Sequence, residues 1–425
     1  MTLPRILTIM GSGETSPTMS KVHRDLISRM GAPPVPAAML DTPFGFQENA
    51  DDITAKAVAY FRESVQRDMA VASFRSAEAA DADGVAHELM LTRLREARYV
   101  FAGPGSPSYA LAQWRGTQVP VVLADKVRTG GCVTFASAAA VTLGAFALPV
   151  YEVYKVGQRP YWLDGLDLLA EAGLRAVVVP HFNNAEGGNH DTRYCYMGER
   201  RLAYLEGLLP DDVFVLGVDE HTALILDLDA GTATVAGIGT VTVRHRSSSW
   251  TVAPGESVPI GELATPPAAA AGATATKPRN STREGATART DRAAEECDPL
   301  LEGIAGCQAD FDDALAARDG RGAVKAILQL DDLLTEWSRD TLQSDHLDRG
   351  RAAWRSMVVC LGEAAAGGLR DPREVVAPFV DALLDARRQA RADRRFADAD
   401  TLRDRLVDAG VEVRDTPDGT EWVLP

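Results

Sequence analysis

The segment from Ala264 to Thr290 sets the strongest constraint on how this chain can fold. After its first residue it reads TPPAAAAGATATKPRNSTREGATART, rich in Ala, Pro, Thr and Gly and almost without large apolar side chains. Such a stretch cannot bury enough apolar surface to offset the entropy of ordering it. The chain must therefore fold as separate bodies on either side. We expect an N-terminal domain over residues 1–263, a disordered linker over 264–293 and a C-terminal domain over 294–425. The total of 425 residues suits this division, because a single core seldom organises more than about 250–300 residues.

Ahead of the segment, short apolar or β-branched runs alternate with helical stretches. The runs are Arg5–Met10, Pro36–Leu40, Met69–Ser73, Tyr99–Ala102, Val121–Ala124, Val133–Ala136, Ala176–Val179 and Val213–Val218. Strands separated by helices predict an α/β fold with a doubly wound, mostly parallel sheet. From Ala223 the period-two alternation of ALILDLDAGTATVAGIGTVTVRH predicts antiparallel strands closing the domain. After residue 293 the strand formers thin out. Amphipathic helices are expected over Phe311–Ala317, Ala323–Arg339, Arg349–Ala365 and Glu374–Asp393, forming a small bundle. Thr416-Pro417-Asp418-Gly419 reads as a tight turn in a terminal β-hairpin.

Three segments carry the chemistry. In GGCVTFASAAAVTLG an apolar strand runs directly into Ser137 and then into small helix formers. That is the shape of a nucleophile elbow, in which the next N–H, of Ala138, points into the same space as an oxyanion donor. The other reading is a strand-end serine in a packed turn. In VVVPHFNNAEGGNH a strand delivers His181 to the end of the sheet, either as a general base or as a histidine bonded to the Asn183–Asn184 turn. In FAGPGSPSYAL a strand opens into Gly103-Pro104-Gly105-Ser106 and a helix, exposing backbone donors to a developing oxyanion. The loop lacks the lysine that a phosphate-binding P-loop needs. MGSGET, residues 10–15, reads as a glycine turn on the rim of the same site.

A net charge of −16 argues against broad attraction to nucleic acid or anionic membranes, so any contact with RNA must be local. Five cysteines without CxxC pairing suit reduced thiols. Neither a signal peptide nor an apolar run of about 20 residues is visible, so we expect a cytoplasmic protein away from membranes. Nothing in the motifs asks for a metal or other cofactor.

Taken in order, these segments resemble the dipeptidase E and cyanophycinase family, serine hydrolases built on a variant of the class I glutamine amidotransferase fold. The resemblance covers roughly Pro4 to Val252. The family's G-x-S-A-G-A elbow falls on Phe135-Ala136-Ser137-Ala138-Ala139-Ala140, its PHF segment on Pro180-His181-Phe182 and its closing G-[IL]-x-E motif on Gly217-Val218-Asp219-Glu220. It implies Ser137 as nucleophile, His181 as proton shuttle and, from the spacing usual in the family, Glu152 as the acid that orients the imidazole. Gly105 and Ala138 would hold the oxyanion, and Gly103, Ser106, Asn183, Arg193 and Glu220 would contact substrate. Two residues depart from the pattern. Ala139 stands where the family has glycine, a strained choice if that position needs positive φ, and Pro104 removes a donor from the glycine loop. Relatives cleave next to aspartyl residues, which needs a cationic pocket. Arg193, Arg200, Arg201 and Lys155 either supply it or are solvated surface residues.

Phe379 to Pro425 resembles the last segment of cysteinyl-tRNA synthetases, most specifically in Asp415-Thr416-Pro417-Asp418-Gly419-Thr420-Glu421-Trp422. The resemblance implies a contact with tRNA. Arg387, Arg388, Arg391, Arg394 and Arg395 share one helical side and either meet phosphates or pair with the aspartates around them. The HIGH signature of synthetase active sites is absent from the chain. The expectation is a serine hydrolase acting on an amide or ester bond of a peptide or amino-acid-derived substrate, with an appended tRNA- or protein-binding module. Two further readings stay open: an inactive hydrolase-like scaffold, and a hydrolase of aminoacyl-tRNA-derived substrates.

Overall fold

The computed structural model describes residues 2–185, 190–246, 248–265, 298–338, 346–366, 372–416 and 419–424. Most of the expected linker, and Pro417-Asp418 of the expected turn, lie outside the described residues. The chain divides into two compact units: Met1–Glu296 with Thr335–Ser344, and Cys297–Leu334 with Asp345–Pro425.

The first unit holds fourteen of the described strands. The early ones are β1 (Arg5–Met10), β2 (Ala37–Leu40), β3 (Ala70–Ala72), β4 (Tyr99–Ala102) and β5 (Gly131–Ala136), followed by the two-residue pair β6 (Phe146–Ala147) and β7 (Leu163–Asp164). Next come β8 (Ala176–Val179), β9 (Phe214–Val218), β10 (Thr222–Asp227), β11 (Thr232–Gly237), β12 (Val241–His245), β13 (Ser248–Val252) and β14 (Ser257–Pro259). An eight-stranded sheet runs in the order β14-β11-β10-β1-β5-β4-β2-β3. Its strands from β1 to β3 are mutually parallel, and β10, β11 and β14 add an antiparallel edge. A second sheet, β13-β12-β9-β8, contains the one remaining parallel pair, β8 with β9.

Burial explains why β5 is a strand although its sequence does not alternate. All six of its residues are buried, as expected for a parallel strand covered on both faces. The fold agrees with the expected mostly parallel sheet and with the antiparallel close after Ala223. It corrects one strand: Val121–Ala124 lies within the helix Val119–Thr129. There Val119, Val122, Leu123 and Val127 are buried at helical spacing, and Pro120 sits in the first turn, where it removes no hydrogen bond.

The second unit is helical, with Pro299–Ala316, Gly320–Trp337, His346–Ala366, Pro372–Ala392 and Phe396–Asp408, then a hairpin of β15 (Glu412–Thr416) and β16 (Gly419–Val423). Val380, Leu384, Leu406, Val411 and Val413 form a small core between the last two helices and this hairpin. No helix among the described residues is long and apolar enough to cross a membrane.

Candidate active site

The parallel strands point their C-terminal ends in one direction, where open α/β sheets gather functional groups. β5 ends at Ala136, and Ser137 begins the short helix Ser137–Val141 with a left-handed φ of 47°. His181, one residue beyond the Pro180 that follows β8, also has φ of 47°. A left-handed conformation costs a non-glycine residue roughly 1–3 kcal/mol, so two such residues side by side mark a site held in place by its surroundings.

The side chains meet across the two sheets. Ser137 Oγ lies 2.9 Å from His181 Nε2, and His181 Nδ1 lies 2.7 Å from Glu220 Oε1. The strand register accounts for the second contact: β8 and β9 run parallel with Val179 opposite Gly217, so His181 and Glu220 emerge together just past the ends of both strands. Glu220 sits on the three-residue crossing Asp219-Glu220-His221 that carries the chain from β9 into β10. A glycine makes the junction possible. A Cβ on Gly217 would come within 2.3 Å of the Phe182 ring, beside His181.

Electrostatics fixes the tautomer. Burial disfavours the Glu220 anion, but the hydrogen bond and charge of His181, with help from Asn184, outweigh it and hold the carboxyl below its ordinary value. An ionised carboxylate only accepts, so Nδ1 carries the imidazole proton and donates it to Glu220. That leaves Nε2 to accept from the Ser137 hydroxyl. Asn184 Nδ2 also donates to Glu220 Oε1, at 3.2 Å, and the Glu220 amide donates to Asn183 Oδ1, at 2.8 Å. The Asn183–Asn184 turn thus braces the carboxylate rather than replacing the serine as partner of the histidine.

Glu152, expected on the imidazole, is elsewhere. It belongs to the helix Val150–Tyr154, and its Oε1 accepts from Ser108 Oγ at 2.5 Å. Chain spacing pointed to Glu152, but the pairing of β8 with β9 delivers Glu220. The strain expected at Ala139 is also displaced: the positive φ falls on Ser137, while Ala139 is buried in the helix and donates its N–H to Gly103 O at 3.2 Å. That bond ties the glycine loop to the elbow. Gly105, at φ 135°, lies so close to Pro43 that a Cβ would meet its carbonyl oxygen at 2.0 Å. Among the described residues, neither the Gly105 nor the Ala138 N–H is committed to a backbone acceptor. Ser106 Oγ accepts from Tyr109 N at 3.2 Å and caps the helix Pro107–Trp114.

Arg193 and Lys155, two of the residues expected in a cationic pocket, have partners of their own among the described residues. Arg193 is half exposed and forms a two-pronged pair with Asp191 at 2.9 Å, and the Lys155 ammonium lies over the Tyr154 ring. Two features went unread in the sequence. Tyr194, Cys195 and Tyr196 form a left-handed run in which Tyr194 N donates to Phe182 O and Cys195 N to His181 O. The Tyr196 ring lies 6.2 Å from the imidazole. Left-handed runs of non-glycine residues leave no compositional signal, so only the fold reveals this brace.

In the second unit the five arginines differ sharply. Arg387 is 2% exposed and grips Asp415 with two bonds of 2.8 Å, joining the helix Pro372–Ala392 to β15. Its expected place on a phosphate-binding face is thereby corrected, because a buried guanidinium already bound to a carboxylate is not presented to a ligand. Arg388 pairs with Asp385, Arg391 lies 3.5 Å from Asp415, and Arg395 bonds Asp393 and Asp398. Arg394 is exposed and has no ion pair among the described residues.

Comparison with known proteins finds the following likenesses. Residues 375–422 match the family described as the cysteinyl-tRNA ligase anticodon binding domain. The cysteine–tRNA ligase of Desulfovibrio desulfuricans is 41% identical over 96 residues, which are 21% of this chain and 20% of that one. That of Nocardioides sp. is 35% identical over 146 residues, 32% of this chain and 30% of that one. The chain therefore spans less than a third of the length of these relatives. Among solved structures, a peptidase from an acI-B1 actinobacterium is 20% identical with a TM-score of 0.49, covering 61% of this chain and 98% of that one. The chain thus joins a mostly parallel α/β unit to a C-terminal module similar to the anticodon binding domain of cysteinyl-tRNA ligases.

Proposed function

We propose that the first unit is a serine-type hydrolase of amide or peptide bonds and that the C-terminal module contacts tRNA. The observation that carries the first half is the chain Ser137–His181–Glu220, hydrogen-bonded at both links with its first two members in left-handed conformations. Ser137 Oγ attacks the carbonyl carbon and passes its proton to His181 Nε2, while Glu220 stabilises the imidazolium. The N–H groups of Gly105 and Ala138 receive the oxyanion. As the C–N bond breaks, His181 returns the proton to the leaving amine. Water, activated by the same imidazole, then cleaves the acyl ester and regenerates the serine.

Covalent labelling tests this reading. A fluorophosphonate should label the full chain once, and Ser137→Ala should abolish the label. An unlabelled wild-type chain would sink the hydrolase and leave a binding scaffold. Support for the second half is the match of residues 375–422 to an anticodon binding domain. Filter binding of total tRNA by the full chain should weaken steeply as salt rises, because phosphate contacts release counterions. No retention at low salt would overturn the tRNA assignment.

A further inference from the structure

Beside the elbow lies an open cleft of about 380 Å3, walled by Phe46, Ser106, Ser108, Tyr109, Tyr151 and Glu152. It shares the glycine loop with the elbow. Gly103 bonds Ala139 through its carbonyl, and three residues further on Ser106 Oγ lies 3.2 Å from Ser108 Oγ, which donates to Glu152. We propose that this cleft binds a primary ammonium group of the substrate, with Glu152 as its counter-anion. Naming it a substrate subsite rests on the hydrolase reading.

Two independent observations support the assignment. First, the Glu152 carboxylate is unsaturated. Oε1 accepts from Ser108, but Oε2 is buried and has no hydrogen-bond partner, although an ionised carboxylate offers about four acceptor positions. A carboxylate with an unfilled acceptor position in the wall of a cleft is a ready partner for an incoming donor. Second, three of the other five wall residues are aromatic. The Phe46 and Tyr109 rings stand 5.1 Å apart at 53°, Phe46 is 47% exposed, and Tyr151 faces the same space. Ring faces beside a carboxylate attract a compact cation twice over, through the ring quadrupole and through charge. Among the described residues no lysine, arginine or histidine lines the cleft, so an acidic substrate residue is repelled here. The cleft therefore does not supply the cationic pocket that the aspartyl specificity implied by the family resemblance would need.

An ammonium group reaches such a site either as a free α-amino terminus or as a lysine side chain, and titration calorimetry on the full-length Ser137→Ala chain separates the two. The probes are L-alaninamide, Nα-acetyl-L-lysinamide and N-acetyl-L-alaninamide, the last without an ammonium. At least one ammonium probe should bind about tenfold or more tightly than the neutral one, and adding Glu152→Gln should remove that difference. Phe46→Ala, at an exposed position, should weaken the same probe by about two- to fivefold. Equal binding of the neutral probe, no binding by either ammonium probe, or affinity indifferent to Glu152→Gln would overturn the proposal. Fluorophosphonate labelling stays a separate measurement. An unlabelled chain that still discriminates the probes through Glu152 would refute the hydrolase and keep the ammonium site.

Discussion

Replacing Glu220 by Gln is expected to slow fluorophosphonate labelling of Ser137 by about 10³- to 10⁴-fold, the scale on which losing the acid of a serine triad acts. The neutral amide both donates and accepts, so it no longer forces the imidazole proton onto Nδ1. The wrong tautomer then leaves Nε2 holding a proton and unable to accept from the serine. Pseudo-first-order labelling rates, with circular dichroism to establish that the variant folds, provide the measurement. A large loss on changing Glu152 with little on changing Glu220 would return the third position to the residue that chain spacing favoured.

That contrast shows how far the sequence reaches. Ser137 and His181 are legible because each lies one or two residues past the end of an apolar strand, and the end of a parallel strand is a place that a pattern can locate. The acid is a different problem. Gly217-Val218-Asp219-Glu220 was recognised as a motif, but its role depends on which strand neighbours β8, and the pairing of Val179 with Gly217 is a long-range fact. The misread strand at Val121–Ala124 has a local cause: four consecutive apolar or small residues fit a buried strand and one side of a helix equally well. The arginines of the tail fail for yet another reason, because charge is visible in a sequence and its partner is not.

The tail supplies the second large effect. Arg387→Ala should destabilise the C-terminal unit by about 2 kcal/mol, since it deletes a buried guanidinium and both of its bonds to the partly exposed Asp415 beside the hairpin. Arg388→Ala, at an exposed pair, should cost less than about 0.5 kcal/mol. Denaturant titration of the full chain, followed by far-ultraviolet circular dichroism, distinguishes them, and equal small effects would refute the anchoring role. The pair also sets a pH dependence. Arg387 and Thr420 hold the Asp415 carboxyl well below the usual carboxylate range. Its folded value is depressed, so the stabilisation is present above roughly pH 4 and is lost as pH falls through that depressed value.

Ser137 is delivered by the eight-stranded sheet, whereas His181 and Glu220 come from the ends of the four-stranded one, with the chain crossing between them at Asp219-Glu220-His221. The proposed proton path therefore bridges a seam, and the 2.9 Å contact of Ser137 with His181 is a gauge of alignment across it. A slip of about 1 Å between the sheets would leave both cores folded and cost on the order of 100-fold in rate. Heat, denaturant or a distant core substitution should thus silence the site while the secondary structure still looks intact.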